Sequence, residues 1–237
     1  MFLTRRVITA EHMDSPTVSE SDQRATLLAI RQVNRWLGGT GQVLGALRLW
    51  LRAMPRGSTV RVLDLGTGSA DIPIALARWS HQAGIALHIT GLDLHPLTLA
   101  LAREQVEREP AAVRQRIELV QADALKPPFA RQSFDFVISS MFLHHLPDIE
   151  VLTALKIMDD LSRRGLVWND LLRNRWALTW AHLLTLGRPA TVRHDATVSV
   201  RAGFTRREVR QICDRMSFGR RRVTAGWGYR FTVAVAR

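Results

Sequence analysis

The chain has 237 residues, 46% of them hydrophobic, with a single cysteine and a formal net charge of +12. That length suits one α/β domain with additions rather than two domains, and the lone Cys213 excludes an intramolecular disulfide and any cysteine cluster for a metal. No run approaches the roughly 18 apolar residues of a membrane span, and residues 1–10 lack the apolar centre of a secretion signal, so a cytoplasmic setting is expected. The excess charge raises nucleic acid as a partner. The basic residues are scattered arginines, however, with Lys126 and Lys156 the only lysines and Arg220-Arg221-Arg222 the one run. Solvated faces explain that pattern, and nucleic acid is not the expected partner.

Residues 1–22 are polar, with Pro16 and several serines, and read as loosely ordered. From 24 to 53 the pattern is helical: Leu27, Leu28, Ile30, Val33 and Leu37 mark an apolar face, Gly38-Gly39-Thr40-Gly41 breaks it, and Val43, Leu44, Leu47 and Leu51 resume it. Residues 1–56 are therefore read as an N-terminal segment with a helical lid, and 57–237 as the main domain. A buried strand is expected over 60–65. It runs into Gly66-Thr67-Gly68, where glycine permits a tight turn and close approach of a ligand to the backbone. Asp71 and Pro73 then fall in the first turn of a helix, a position that favours both.

The next strand, 87–93, ends at Asp93, where a carboxylate can accept both ribose hydroxyls of a nucleoside. A dinucleotide site would have a third glycine where this chain has Asp71, and an acid there would repel a pyrophosphate at the helix N-terminus. The same acid suits the ammonium and sulfonium of S-adenosylmethionine. The plainer reading is that Asp64 and Asp71 cap the turn and the helix.

A third strand over 117–120 leads to Asp123-Ala124, placed to face an adenine amino group and ring. A fourth, 134–140, leads into Met141-Phe142-Leu143-His144-His145. Helices near 70–80, 96–109 and 149–163 alternate with these strands and with a fifth at 166–168. Such alternation predicts an α/β fold, a doubly wound Rossmann-like sheet. With strands at 219–225 and 229–236 the sheet has seven. Residues 171–204 interrupt the rhythm before the capping box Thr205 to Glu208 and form an insertion. Its Leu172, Trp176, Trp180, Leu183 and Leu184 fall at helical spacing among Arg173, Arg175 and His182. This pattern fits a helix docked on its own domain, an apolar lid, or a helix in peripheral contact with a membrane.

Taken together, residues 58–168 resemble the class I S-adenosylmethionine-dependent methyltransferases, and among them the small-molecule branch of ubiquinone and menaquinone biosynthesis. The resemblance implies that Asp64, Gly66, Thr67 and Gly68 surround the methionine part and that Asp93 holds the ribose. It also implies that Leu94 packs on one adenine face while Asp123 and Ala124 frame the ring. The branch's usual glycine-cysteine-glycine is Gly66-Thr67-Gly68 here, which leaves the turn intact.

In an open parallel sheet the ligands lie beyond the carboxyl ends of the strands. That places Ser139, Ser140, Met141, His144 and His145 near the sulfonium, with Asn169 and Asp170 beside them and the insertion and N-terminal helices as a roof. Histidine titrates near neutrality, so His144, His145 and His194 are candidate general bases, with Asp170 next. His194 is followed by Asp195, which could raise its basicity, although a surface turn explains it equally. The expected activity is methyl transfer to an O- or C-nucleophile of a small apolar or aromatic acceptor: phenolic, quinol or lipid-like. An RNA methyltransferase and a non-catalytic S-adenosylmethionine-binding regulator are the competing readings. Against the former, strand four ends Ser139-Ser140-Met141-Phe142, not in the Asn/Asp-Pro-Pro-aromatic element common in enzymes that methylate nucleic-acid amines. No metal is expected.

Overall fold

The computed structural model describes residues 38–55, 57–226 and 228–237, together with 3, 5–9, 19, 21, 24, 25, 27 and 28. Pro16, Ile30, Val33, Leu37 and Arg56 lie outside the described residues. The first elements are helix α1 (Gly39–Arg52), strand β1 (Val60–Leu65), α2 (Asp71–Gln82), β2 (Leu87–Asp93), α3 (Pro96–Glu107), the single turn α4 (Ala111–Arg114) and β3 (Ile117–Gln121). Then follow β4 (Phe134–Ser140), α5 (Asp148–Leu161), β5 (Ser162–Leu171), α6 (Arg175–Leu184), α7 (Ala190–Ala202), α8 (Arg206–Arg215), β6 (Arg220–Gly226) and β7 (Arg230–Ala236).

The strands form one sheet in the order β3-β2-β1-β4-β5-β7-β6. β1 to β5 are parallel, while β7 runs antiparallel to both β5 and β6. β1, β2, β4 and β5 are apolar runs because helices cover both of their faces. On one face Val62, Phe136, Ile138 and Val167 pack under α1 and α2, through Val43, Leu47, Ile72 and Leu76. On the other, Leu63, Val137, Leu166 and Trp168 pack under α5 and α8, through Leu155, Met158, Val209 and Cys213. Phe134 shares this second face despite its spacing from Phe136, because the register with β5 shifts between them.

Two local expectations need correction, and a third is sharpened. At the expected glycine break, Gly38 is left-handed at φ 74° and α1 begins at Gly39, while residues 29–37 lie outside the described residues. A Cβ on Gly39 would overlap the buried Arg230 guanidinium, so the glycine lets α1 sit directly against β7. The fifth strand is longer than 166–168. It runs from Ser162 to Leu171 and carries Asn169 and Asp170 inside the buried sheet rather than on a loop. Nor is the start of the chain loose throughout. Val7 N donates to Arg201 O (3.3 Å), and the Arg6 side chain is 5% exposed.

Residues 171–204 contain the contacting helices α6 and α7, closed at their base by a bridge between Leu172 and Phe204. The Arg220-Arg221-Arg222 run lies exposed on β6, the edge strand, where charged side chains discourage pairing with another sheet. Arg221 is paired with Asp214 and also donates to Cys213 O.

Gly165 on β5 is held by backbone packing: an added Cβ would overlap the Val235 carbonyl oxygen on β7. Gly165→Ala is expected to lower stability by about 1–3 kcal/mol, the usual cost of overpacking. Chemical denaturation would measure this, and an unchanged midpoint would contradict the tight β5–β7 contact.

Candidate active site

β1 has β2 on one side and β4 on the other, so the chain reverses its winding direction there. A crevice must open beyond the carboxyl ends of these strands. The structure has a cleft of about 340 Å³ at that point, lined by the turn after β1, the tips of β2, the segment after β3 and the segment after β4.

At the first turn Gly66 and Gly68 are both left-handed, at φ 72° and 53°. The two glycines serve different purposes. A Cβ on Gly66 would overlap the Phe142 ring, whereas one on Gly68 meets nothing within 4 Å. Gly66 thus admits Phe142, and Gly68 presents open backbone to the cleft. Gly68 N donates to Asp93 Oδ2 (2.9 Å) and His95 N to Asp93 Oδ1 (3.1 Å), so the two strand tips are tied together. A carboxylate has about four acceptor positions, which leaves Asp93 able to receive a diol.

Asp64 lies beneath the turn, 1% exposed. Its Oδ2 accepts from Thr67 Oγ1 (2.9 Å), and its Oδ1 is buried with no hydrogen-bond partner among the described residues. Burial drives its pKa well above the ordinary carboxylate value. The Thr67 hydrogen bond acts the other way, and the charges of Asp71 and Asp93 push it further up. Burial also raises the pKa of Asp93, against its backbone hydrogen bonds. Asp64 and Asp93 therefore lie where a cation would relieve them, beside Asp71, whose charge also acts on the buried Arg230.

The segment after β4 makes the other wall. Met141 adopts φ 58°, a costly angle for a side-chain-bearing residue. Its N–H is anchored on Asn169 O (3.0 Å), and Ser140 Oγ donates to Asn169 Oδ1 (3.2 Å). Met141, Phe142, His145 and Leu146 line the cleft. His145 stacks on His144 with ring centroids 4.1 Å apart. His144 is 1% exposed, and its Nδ1 lies 2.7 Å from Asp170 Oδ1. Asp170 also accepts from His144 N, Leu171 N and Trp168 Nε1. Burial alone would raise the Asp170 pKa, but the charge and hydrogen bond of His144, with the other donors, bring it below the ordinary value. Burial, followed by the neighbouring His144, takes the His145 pKa down to about 3, so its imidazole is neutral at physiological pH.

Of the residues singled out from sequence, Gly66, Thr67, Gly68, Asp71, Asp93, Leu94, Asp123, Ala124 and His145 line the cleft. Asp64 and Ser139 lie behind its wall, and the Ser139 hydroxyl donates to Leu65 O (3.0 Å). His144 and Asp170 lie behind His145. His194 is on α7, half exposed beside Asp195, and is not among the lining residues. Two arginines escaped sequence reasoning. Arg6 donates to His144 O, Leu146 O and Ala202 O, pairs with Asp148 (2.5 Å) and covers the Phe204 ring at 4.1 Å. Arg230 is fully buried; burial lowers its pKa to about 10, while Asp170 and Asp71 act in the opposite sense. No local motif marks either one, because their partners are distant in sequence.

Residues 62–165 match the methyltransferase domain family. The chain is 30% identical over 144 residues to the demethylmenaquinone methyltransferase of Bacillus licheniformis, covering 61% of this chain and 53% of that protein. It is 33% identical over 127 residues to the ubiquinone/menaquinone biosynthesis C-methyltransferase of Sinorhizobium fredii, covering 51% and 46%. The chain thus spans about half the length of the curated relatives it matches. Among solved structures, a SAM-dependent methyltransferase from Aquifex aeolicus superposes with a TM-score of 0.62 at 17% identity, over 93% of this chain and 99% of that one. Magnesium protoporphyrin IX methyltransferase from Synechocystis, with bound SAH, gives 0.57 at 17% identity over 95% and 91%.

The fold is that of the class I methyltransferases. Residues 62–165 resemble the methyltransferase domain family, whose cofactor is S-adenosylmethionine, with the similarity on the side of the ubiquinone/menaquinone branch. The residues present fit this cofactor. The orphaned Asp64 oxygen and the carboxylates of Asp71 and Asp93 suit a ligand with two positive centres, and the open face of Gly68 suits close backbone approach.

Asp64→Asn keeps an acceptor for Thr67 and removes the buried charge. A raised folded pKa means that the native state holds a proton that the unfolded state has released, so stability falls as pH rises from the ordinary carboxylate value through the folded one. At neutral pH the variant is therefore expected to melt higher, by about 2–4 °C for each kcal/mol relieved. It is also expected to bind S-adenosylmethionine about 30-fold or more weakly, given a cost of about 2–5 kcal/mol for losing a buried charge partner. A lower melting temperature with unchanged affinity would contradict this role.

Proposed function

We propose that the protein transfers a methyl group from S-adenosylmethionine to an oxygen or carbon nucleophile of a small apolar or aromatic acceptor, of the phenol, quinol or lipid-like kind. The observation that carries this reading is the wall after β4: Met141, Phe142 and Leu146 are apolar, and His145 offers one imidazole that is neutral at physiological pH. Such a wall accepts an aromatic ring and gives its hydroxyl one polar partner. The names of the curated relatives, which refer to demethylmenaquinone and to ubiquinone/menaquinone biosynthesis, support the quinol class. A polyanion is disfavoured at a cleft lined by Asp71, Asp93 and Asp123.

The cofactor supplies a methyl group already activated by positive sulfur. The chain's residues then bind and align. Asp64 and Asp71 offset the cationic centres, Asp93 takes the ribose hydroxyls, and Asp123 and Ala124 frame the adenine. Leu94, 55% exposed at the cleft, supplies an apolar surface for that ring. The described residues of the N-terminal segment suit a lid. Leu27 lines the cleft, and Arg24 grips Glu104 on α3 with two hydrogen bonds of 3.0 and 2.6 Å.

A ring nitrogen of His145 receives the acceptor's proton. A base with a pKa of about 3 cannot ionise a free phenol, but an attacking hydroxyl becomes strongly acidic as its oxygen gains a bond, so a weak neutral base suffices late in the reaction. His144 is a positioning residue, since Asp170 fixes it from behind and its ring carries His145. His194 has no role in this reading.

The test is a screen of hydroxylated aromatics, quinols and lipid-like phenols by S-adenosylhomocysteine formation, followed by His145→Ala on the best acceptor. Turnover should fall about 10²–10⁴-fold, the usual range for a lost general base, with cofactor affinity kept. The wild-type rate should show no ionisation near pH 6.5, because His145 stays neutral above about pH 3. Absence of turnover with every acceptor would favour a non-catalytic cofactor-binding protein, and an unaffected His145→Ala rate would remove the base.

A further inference from the structure

We propose that α6 docks the protein on an anionic lipid bilayer, from which an apolar acceptor reaches the cleft. Trp176, Trp180, Leu183 and Leu184 recur at i, i+4, i+7 and i+8 and share one face of the helix. They are 68%, 48%, 51% and 40% exposed, and Leu186 just beyond is 67% exposed. A helix that served only its own domain would turn this face inward. Instead Ala177, Leu178 and Ala181 face the protein, packed with Leu171, Val200 and Met141. The outward stripe is thus an unpartnered apolar face with two tryptophans, side chains that favour the boundary between water and lipid.

Charge selects the occupant. Residues 171–194 contain Arg173, Arg175, Arg188 and Arg193 and no acidic residue. Arg173 is buried, where it donates to Gly203 O and pairs with Glu208 (2.6 Å). Arg175, Arg188 and Arg193 are exposed. Exposed arginines beside an amphipathic helix add attraction to anionic headgroups. A second copy of this basic surface would be repelled.

Position gives the contact its use. The inner face of α6 shares an apolar cluster with Met141, which itself lines the cleft, so the stripe lies about one helix diameter of 10–12 Å beyond that cluster. No helix among the described residues is long and apolar enough to cross a membrane, so the contact is peripheral. The inference deepens the lipid-like acceptor reading, yet docking requires no turnover and is measured without it.

The experiment is co-sedimentation of the full chain with vesicles of phosphatidylcholine alone and of phosphatidylcholine with phosphatidylglycerol. The wild type should bind the mixed vesicles and lose binding as salt is raised. Trp176→Ala/Trp180→Ala should bind them about tenfold more weakly or less, while melting temperature and S-adenosylmethionine affinity stay unchanged. Arg188→Gln/Arg193→Gln should weaken binding with a shallower salt dependence. Failure of the wild type to bind, or equal binding by the tryptophan variant, overturns the proposal. So does sedimentation velocity that shows α6 burying itself in a dimer. Vesicle binding without methyl transfer to any acceptor would leave docking standing and defeat the proposed activity instead.

Discussion

Asp64 is buried at the end of β1 with Asp71 and Asp93 close enough to raise its pKa, and much of the site follows from that unfavourable arrangement. Asp64 and Asp93, both buried and raised in pKa, weigh against the folded chain by themselves. They are sustained by the sheet around them: the end of β1, residues 62–65, is paired with both β2 and β4, Thr67 holds one Asp64 oxygen, and two backbone N–H groups hold Asp93. A ligand with fixed positive charge gains from each of these groups, and a pyrophosphate from none. The proposed preference for S-adenosylmethionine over a dinucleotide rests on this electrostatic arrangement, present in the protein before a ligand arrives.

The opposite wall is organised by a second buried carboxylate with the reverse character. Asp170 is fully satisfied, accepting from His144, Trp168 and two backbone groups, and so remains ionised. Around it runs a continuous set of contacts. Arg6 covers Phe204, Phe204 meets the Trp168 ring edge-on at 5.0 Å, Trp168 donates to Asp170, Asp170 holds His144, and His144 carries His145. The start of the chain, the end of the insertion and β5 thus jointly place one imidazole in the cleft. Arg6 closes the set by binding the backbone on either side of His145.

These two walls differ in how far they can be read from sequence. β1, β2 and β4 were expected at 60–65, 87–93 and 134–140 and occupy those residues, because strands buried on both faces are written as unbroken apolar runs. Gly66, Gly68, Asp71 and Asp93 were legible because a strand-turn-helix unit keeps them close in sequence. Asp170 and His144 were legible as types near the site but not as a pair, since their bond joins residues 26 apart. Arg6 and Arg230 carry no signal, for the partners of Arg6 lie 138 residues or more away and the charges acting on Arg230 are those of the distant Asp170 and Asp71. That a helix starts as early as Gly39 was not legible, because packing against Arg230 offsets glycine's poor helix propensity there.

The decisive measurement is the proton balance of cofactor binding, by titration calorimetry in buffers of different ionisation heat from mildly acidic to neutral pH. A raised Asp64 just behind the wall that an arriving cation meets should release its proton. Binding of S-adenosylmethionine should therefore liberate protons, and affinity should rise with pH across this range. S-adenosylhomocysteine, whose sulfur is neutral, should liberate fewer. Equal proton release with the two ligands, no release with either, or tighter binding of NAD would contradict a site built on carboxylate charge.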